Sequence, residues 1–416
     1  MDFAHSDRAR VYLERVDTFV TTHIDPVEAE VARELQAQDQ PWQAHPEVER
    51  WKGLARAEGL WNLFLPDAEL GAGLSNVEYA PLAERMGRSL LASEVFNCNA
   101  PDSGNMEVLY HFGSTEQKER WLQPLLEGRI RSAFCMTEPD VASSDATNMQ
   151  ATVELDGDEV VVNGRKWWST GVGHPDCELL LFLGVTDPDA DRYHRQSLVL
   201  VPRDTPGVRV ERMLSTMGFL DAPGGHGEVV FEDVRVPKEN LVGGPGMAFT
   251  IAQGRLGPGR VHHCMRLIGL AERALELACA RSVERTAFGK PLANLGGNRE
   301  RIADARMAID QARLLVLHCA WLLDTQGLLG ALSAVSQIKV VVPNVAQQVV
   351  DVAMQLHGGA GMSDDLPLAA AWTIARALRL ADGPDEVHRG VVARIELGPY
   401  TAAAKERAAA AREVPA

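Results

Sequence analysis

Residues 371–389 read Ala371-Trp-Thr-Ile-Ala-Arg-Ala-Leu-Arg-Leu-Ala-Asp382-Gly383-Pro384-Asp-Glu-Val-His-Arg389. The first eleven carry a helical apolar face, and the pattern breaks at Asp382-Gly383-Pro384, where glycine and proline cannot continue a helix. That break leaves one carboxylate at a helix end. Held by rigid backbone beside an apolar segment, such a group is a candidate base, because desolvation disfavours its charged form. An Asp-Gly-Pro break is also common punctuation, so other stretches must decide.

Upstream, residues 247–282, 299–326, 331–357 and 366–381 keep the helical period with short connections, which predicts a four-helix bundle in a C-terminal domain of residues 241–416. The Ala/Arg-rich end, 401–416, reads as a frayed helix or tail. Between 133 and 240 the period changes. Glu159–Val162, Leu179–Val185, Ser197–Val201, Val208–Met213 and Glu228–Val234 are strand-like runs between Gly, Pro and Asp clusters, which predicts a middle β-barrel or sandwich domain. Residues 1–132 return to the helical period, with helices near 7–37, 46–58, 75–87, 105–112 and 115–126, and predict an N-terminal all-α domain. The expected class is α+β, in the order α, β, α.

The chain has 416 residues, 46% apolar and 24% charged, with a net charge of −16. That balance argues against a phosphate-backbone partner, so no nucleic acid is expected. No run approaches the roughly 20 uninterrupted apolar residues of a bilayer span, and the N-terminus has acids instead of an apolar leader core. Six scattered cysteines without CxxC spacing read as free thiols in a reducing compartment. The expected setting is cytoplasmic, without a membrane. His262-His263-Cys264 point about 100° apart on a helix and cannot share a metal face, so no metal site is expected.

Three further stretches could carry chemistry. Met136-Thr137-Glu138-Pro139 to Ser143-Ser144-Asp145 can offer hydroxyls and backbone N–H groups to an anion or a heterocycle. Lys166-Trp167-Trp168-Ser169-Thr170 sets an aromatic beside a hydroxyl, which suits a flat ring, although paired tryptophans more often serve burial. Gln355-Leu356-His357-Gly358-Gly359-Ala360-Gly361 ends a helix with glycines that let backbone approach a ligand closely.

In order and content these motifs resemble the acyl-CoA dehydrogenase family over about residues 5–398. Arg285-Thr-Ala-Phe288-Gly289-Lys290 is similar to the family's Arg-x-x-Phe-Gly motif, and Gln355 to Gly361 to its second pattern. The Asp140–Thr147 and Leu378–His388 variants look most like the subfamily fused in animals to an aminoglycoside-phosphotransferase-like kinase, and no kinase segment is expected here.

The resemblance implies FAD and α,β-dehydrogenation of a fatty acyl-CoA to the trans-2-enoyl-CoA. Asp382 stands where most of the family has a Glu base, one methylene longer. Arg260 matches a cationic neighbour of the active site, and the alternative base position before it is Gly259. The resemblance places the thioester oxygen at the Asp382 backbone N–H and a ribityl hydroxyl. Met136, Thr137, Ser144, Trp168 and Thr170 match cofactor contacts. Arg285, Phe288, Gln355 and Gly359 match contacts to a neighbouring subunit's FAD, and Glu386 is a candidate on the adenylate side. A homotetramer or homodimer, and an electron-transfer flavoprotein as acceptor, are the implied partners.

Two departures stand out. Leu295-Gly296-Gly297-Asn298 replaces a helix start that commonly brings a Gln to FAD, and Ala381 stands where straight-chain enzymes often carry Tyr. The smaller side chain is expected to leave room for branched or oxygen-substituted acyl chains, and the subfamily resemblance implies medium or long acyl chains, with 4-hydroxyacyl-CoA or its phosphorylated form among them. Two rival readings keep the same fold: a flavin-dependent monooxygenase, which needs no carboxylate at residue 382, and a non-catalytic scaffold protein without a flavin.

Overall fold

The computed structural model describes residues 4–37 and 41–413. Its first helices are α1 (Asp7–Phe19), α2 (Glu28–Ala37), α3 (Pro46–Ala57), α4 (Asn76–Gly87), α5 (Ala92–Val95), α6 (Asp102–Phe112), α7 (Thr115–Gln117) and α8 (Gln123–Leu126). Capping boxes start two of them: Ser75 with Glu78 opens α4, and Ser114 with Gln117 opens α7. Phe19, Trp51, Tyr79 and Phe96 are fully buried between these helices.

The middle of the chain forms β1 (Arg131–Cys135), β2 (Thr152–Asp156), β3 (Glu159–Thr170), β4 (Cys177–Val185), β5 (Gln196–Pro202), β6 (Val208–Leu214) and β7 (His226–Pro237). They make a mixed sheet in the order β1-β4-β2-β3-β7-β6, with β5 on the other edge of β4. The β1–β4 and β2–β4 pairs are parallel, and β2–β3, β3–β7, β4–β5 and β6–β7 are antiparallel. The sheet curls as a half-barrel around Phe182 and Phe231, whose rings lie 4.6 Å apart.

Beyond the sheet come α9 (Ala248–Glu284), the hairpin β8 (Thr286–Ala287) and β9 (Lys290–Pro291), α10 (Asn298–His357), α11 (Leu368–Ala377) and α12 (Asp385–Glu413). The helices expected at 299–326 and 331–357 are the two arms of α10, kinked where Gly327 takes φ 69° and ψ −175°. By length and composition Asn298–Gly361 could cross a membrane, with a mean hydropathy of 1.4 over its best window. Its buried face here includes Lys339, Val342, Ala346 and Val350, and it packs along α9 and α11.

Helices α4 and α9 meet at two glycines. A methyl group on Gly87 would lie 1.9 Å from the Arg266 carbonyl oxygen, and one on Gly269 would lie 1.8 Å from that of Glu84. Only hydrogen fits at either position, so this pair of glycines fixes how α9 sits on the N-terminal helices.

Two expectations are corrected and a third is narrowed. The helix predicted to run to residue 381 ends at Ala377, and residues 378–382 form a turn. The Leu378 carbonyl, which a further turn would use, accepts instead from Lys339 Nζ on α10. The stretch after Pro384 re-forms as α12, so of the two readings given for 401–416, frayed helix or tail, the helical one describes it as far as Glu413. Strands β1 and β2 were not among the predicted runs.

Candidate active site

Asp382 sits in the turn between α11 and α12 with φ 55°, a left-handed conformation that Asp tolerates better than most residues. Gly383 follows with φ 101°, and a side chain there would press on His388 Nε2 at 3.0 Å. The Asp382 carbonyl oxygen accepts from Arg260 Nε at 3.0 Å and pairs with His388 Nε2 at 3.2 Å. Its carboxylate Oδ2 lies 3.7 Å from His263 Nε2, both side chains being about one-fifth exposed.

The turn is braced from α10. Lys339 Nζ donates to the carbonyls of Leu378 and Gly383. Asp385 Oδ2 accepts from Asn344 Nδ2 and Arg379 Nε, each at 3.0 Å. Burial, then the cations Arg260 and Lys339, push His388 down to about pKa 4. Burial also lowers Arg260 and Lys339 from their ordinary values, with Asp382 pulling the other way in both.

A second group lies on the sheet. β3 bulges against β7 between Lys166 and Ser169, and there Trp168 takes φ 52° and stands 39% exposed while Lys166 and Ser169 are buried. Trp167 N donates to the Thr137 carbonyl at 3.0 Å, which joins the Met136-Thr137 loop to the tryptophan strand as one ledge. Beneath it, Lys166 Nζ contacts the Glu138 carboxylate at 2.7 Å and the Met136 carbonyl at 3.0 Å. Burial holds Lys166 down to about 8, against the pull of Glu138. Thr170 Oγ1 is 2.9 Å from His226 Nδ1, and His226 Nε2 is 3.5 Å from Asp221 Oδ2.

The segment before α6 links Asp382 to this ledge. A side chain on Gly171, next to Thr170, would touch Pro101 at 3.0 Å. The Cys98 carbonyl accepts from Arg266 Nη1 at 3.1 Å, and Arg266 Nη2 reaches His263 Nδ1 at 3.0 Å. The ledge, the 98–101 segment, Arg266, His263 and Asp382 are therefore a continuous series of contacts.

The remaining candidates stand at the surface. Ser144, Arg285, Gln355, Gly359 and Glu386 are exposed, and Phe288 is 96% exposed with φ 49° at the tip of the β8–β9 hairpin. Glu386 faces Arg389 at 3.7 Å, and it is its neighbour Asp385 that turns inward. Asn298 Nδ2 is used locally, donating to the Leu292 carbonyl at 2.8 Å. Lys166, His226, His263, Lys339 and His388 were not assigned from the sequence. His263 had one legible sign, since it follows Arg260 by three residues and so shares its helix face.

Three family models match in chain order. Acyl-CoA dehydrogenase N-terminal domain covers residues 6–129, middle domain 133–234 and C-terminal domain 246–397. The mouse acyl-CoA dehydrogenase family member 10 is 55% identical over 94% of this chain and 37% of its own length, and chicken family member 11 is 51% identical over 95% and 51%. The chain thus spans about half or less of these curated relatives. FadE2 of Mycobacterium tuberculosis, itself named a probable acyl-CoA dehydrogenase, is 51% identical over 95% of this chain and 97% of its own. A solved Mycobacterium abscessus structure, whose own name goes no further than acyl-CoA dehydrogenase, superposes with a TM-score of 0.94 at 68% identity, covering 96% of this chain and all of that one. With this helix–sheet–helix architecture and this identity along nearly its full length, the chain belongs to the acyl-CoA dehydrogenase family.

Proposed function

We propose that the protein is an FAD-dependent acyl-CoA dehydrogenase in which Asp382 takes the α-proton of a fatty acyl-CoA thioester, giving the trans-2-enoyl-CoA. The observation that carries this reading is the clamped Asp382 turn. Two side chains fix its main-chain oxygen, its carboxylate is directed at His263, and contacts run from there to the Trp168–Thr170 ledge. A base one methylene shorter than Glu depends on such fixing, because its reach is set by the backbone.

The residues present suit the cofactor. An exposed indole raised on a β-bulge beside the Thr170 hydroxyl offers a flat ring a face and a hydrogen bond. Gly358 and Gly359 have no atom within 4 Å of where a side chain would start, which leaves open backbone for a pyrophosphate. Met136, Thr137, Ser144, Trp168 and Thr170 would hold FAD within one subunit. Arg285, Phe288, Gln355 and Gly359, with Glu386 nearby, would reach that of a neighbour, which makes a homodimer or homotetramer part of the proposal. When bound, FAD supplies the acceptor for the hydride equivalent leaving the β-carbon. Electron-transfer flavoprotein is the proposed acceptor, and six free cysteines suit a reducing, cytoplasmic setting. Ala381, small and exposed beside the base, favours branched, 4-hydroxy or 4-phospho acyl chains.

Anaerobic titration of the purified protein with acyl-CoAs of differing length and substitution tests this. Bleaching of the visible flavin absorbance by at least one of them is expected, together with its loss in Asp382→Asn. A colourless protein, or full reduction of the Asp382→Asn variant at the wild-type rate, would overturn it.

A further inference from the structure

We infer that His263 is a positioning residue for the base: as a neutral imidazole bearing its proton on Nε2, it donates toward the Asp382 carboxylate and sets the direction in which that carboxylate points. The inference rests on the reading of Asp382 as base.

The tautomer follows from the neighbours. Arg266 Nη2 lies 3.0 Å from His263 Nδ1. A guanidinium has donors only, so Nδ1 must present its lone pair, and a neutral ring then carries its hydrogen on Nε2. Nε2 is the atom that faces Asp382 Oδ2, at 3.7 Å. Nδ1 is thus the atom that meets the guanidinium and Nε2 the one left to donate. The separation is longer than a direct hydrogen bond, and such catalytic contacts commonly shorten when substrate closes the site.

The arrangement is rigid on both sides. Arg266 is tied to the Cys98 carbonyl at 3.1 Å, and its own carbonyl lies at the Gly87 seam where α4 and α9 interlock. On the other side, Arg260 and His388 hold the Asp382 main chain, so the carboxylate keeps only its two side-chain torsions. A donor at a fixed point selects among those rotamers. The charged and titratable groups around the pair include, among the described residues, Arg260, Lys339 and His388 about Asp382, Arg266 and His262 about His263, and Cys264, which burial pushes up to about 12.

The test has two arms on the full-length protein. Nitrogen-15 NMR of histidine-labelled protein, with His263 assigned by comparison with His263→Gln, should show a protonated Nε2 and an unprotonated Nδ1 at neutral pH; protonated Nδ1 would overturn the inference. In steady-state kinetics His263→Leu should lower kcat about tenfold, leave KM for the acyl-CoA within about threefold, and move the acidic limb of the rate profile to higher pH. His263→Gln, whose amide nitrogen occupies the place of Nε2, should recover kcat to within about threefold of wild type. Equal losses in the Leu and Gln variants, or a change confined to KM, would overturn the inference and leave the base reading intact. Wild-type turnover by Asp382→Asn would remove the base reading, and this inference with it.

Discussion

Arg260 Nε donates to the carbonyl oxygen of Asp382 at 3.0 Å, tying α9 to a turn 122 residues further along the chain. The bond falls on the backbone of the residue whose side chain is proposed to do the chemistry, so it governs geometry more than charge. Arg260→Met keeps the apolar stem and deletes the donor. We expect kcat to fall about tenfold and amide hydrogen exchange over residues 380–385 to quicken. Unchanged exchange there would show that His388 and Lys339 suffice to hold the turn.

Lys166 lies fully buried under the ledge and pairs with Glu138, whose carboxylate also accepts from the Gln150 and Ala151 amides. Lys166→Met strands that carboxylate in the interior. The expected cost is about 3 kcal/mol, read from denaturant unfolding, with weaker flavin retention. Adding Glu138→Gln should restore part of it, and equal stabilities of the single and double variants would refute the pairing as the cause.

His262 sits edge-on to Tyr79 and Phe64, where burial, followed by Arg266, pushes it down to about 3 from the ordinary 6.5. The unfolded chain takes up this proton near its ordinary value while the folded chain does not until far more acid. Stability should therefore fall as pH drops from about 6.5 toward 3. Between pH 7 and pH 5 this one group accounts for about 2 kcal/mol. His262→Phe should flatten the pH dependence of unfolding by that amount; an unaltered slope would place the proton uptake elsewhere.

Phe288, almost wholly exposed at the tip of the β8–β9 hairpin, makes no demand on the fold of its own subunit. Phe288→Ala should leave protomer unfolding within about 0.5 kcal/mol of wild type. By sedimentation it should shift the assembly toward smaller species and lower flavin content. An assembly and flavin content indifferent to the change would separate this residue from the subunit contact proposed for it.

The order helices, sheet, helices was legible because period and turn chemistry agree over long stretches. The helix expected near 115–126 begins where Ser114 and Gln117 form a capping box. β1 was not legible because it opens on Arg131, a buried cation held by Glu94 and Asp102, and counting apolar runs passes over such a residue. The early end of α11 was hidden for a related reason, since Lys339 comes from another helix to take the Leu378 carbonyl. At the site, the Asp-Gly-Pro break marked Asp382. His388 and Arg266 matter only through partners brought in by the fold, which no local pattern encodes, and His263 showed no more than the helix face it shares with Arg260.

The hydrogen-for-hydrogen fit of Gly87 against Arg266 and of Gly269 against Glu84 works like a keyway on a shaft. With neither cylinder free to roll, the compass bearing of every residue from Arg260 to Arg273 is dictated by a joint that meets no part of the proposed catalytic turn. A single methyl added at that joint would force the two cylinders apart and turn Arg260 and His263 away from the base, leaving each reacting side chain chemically untouched.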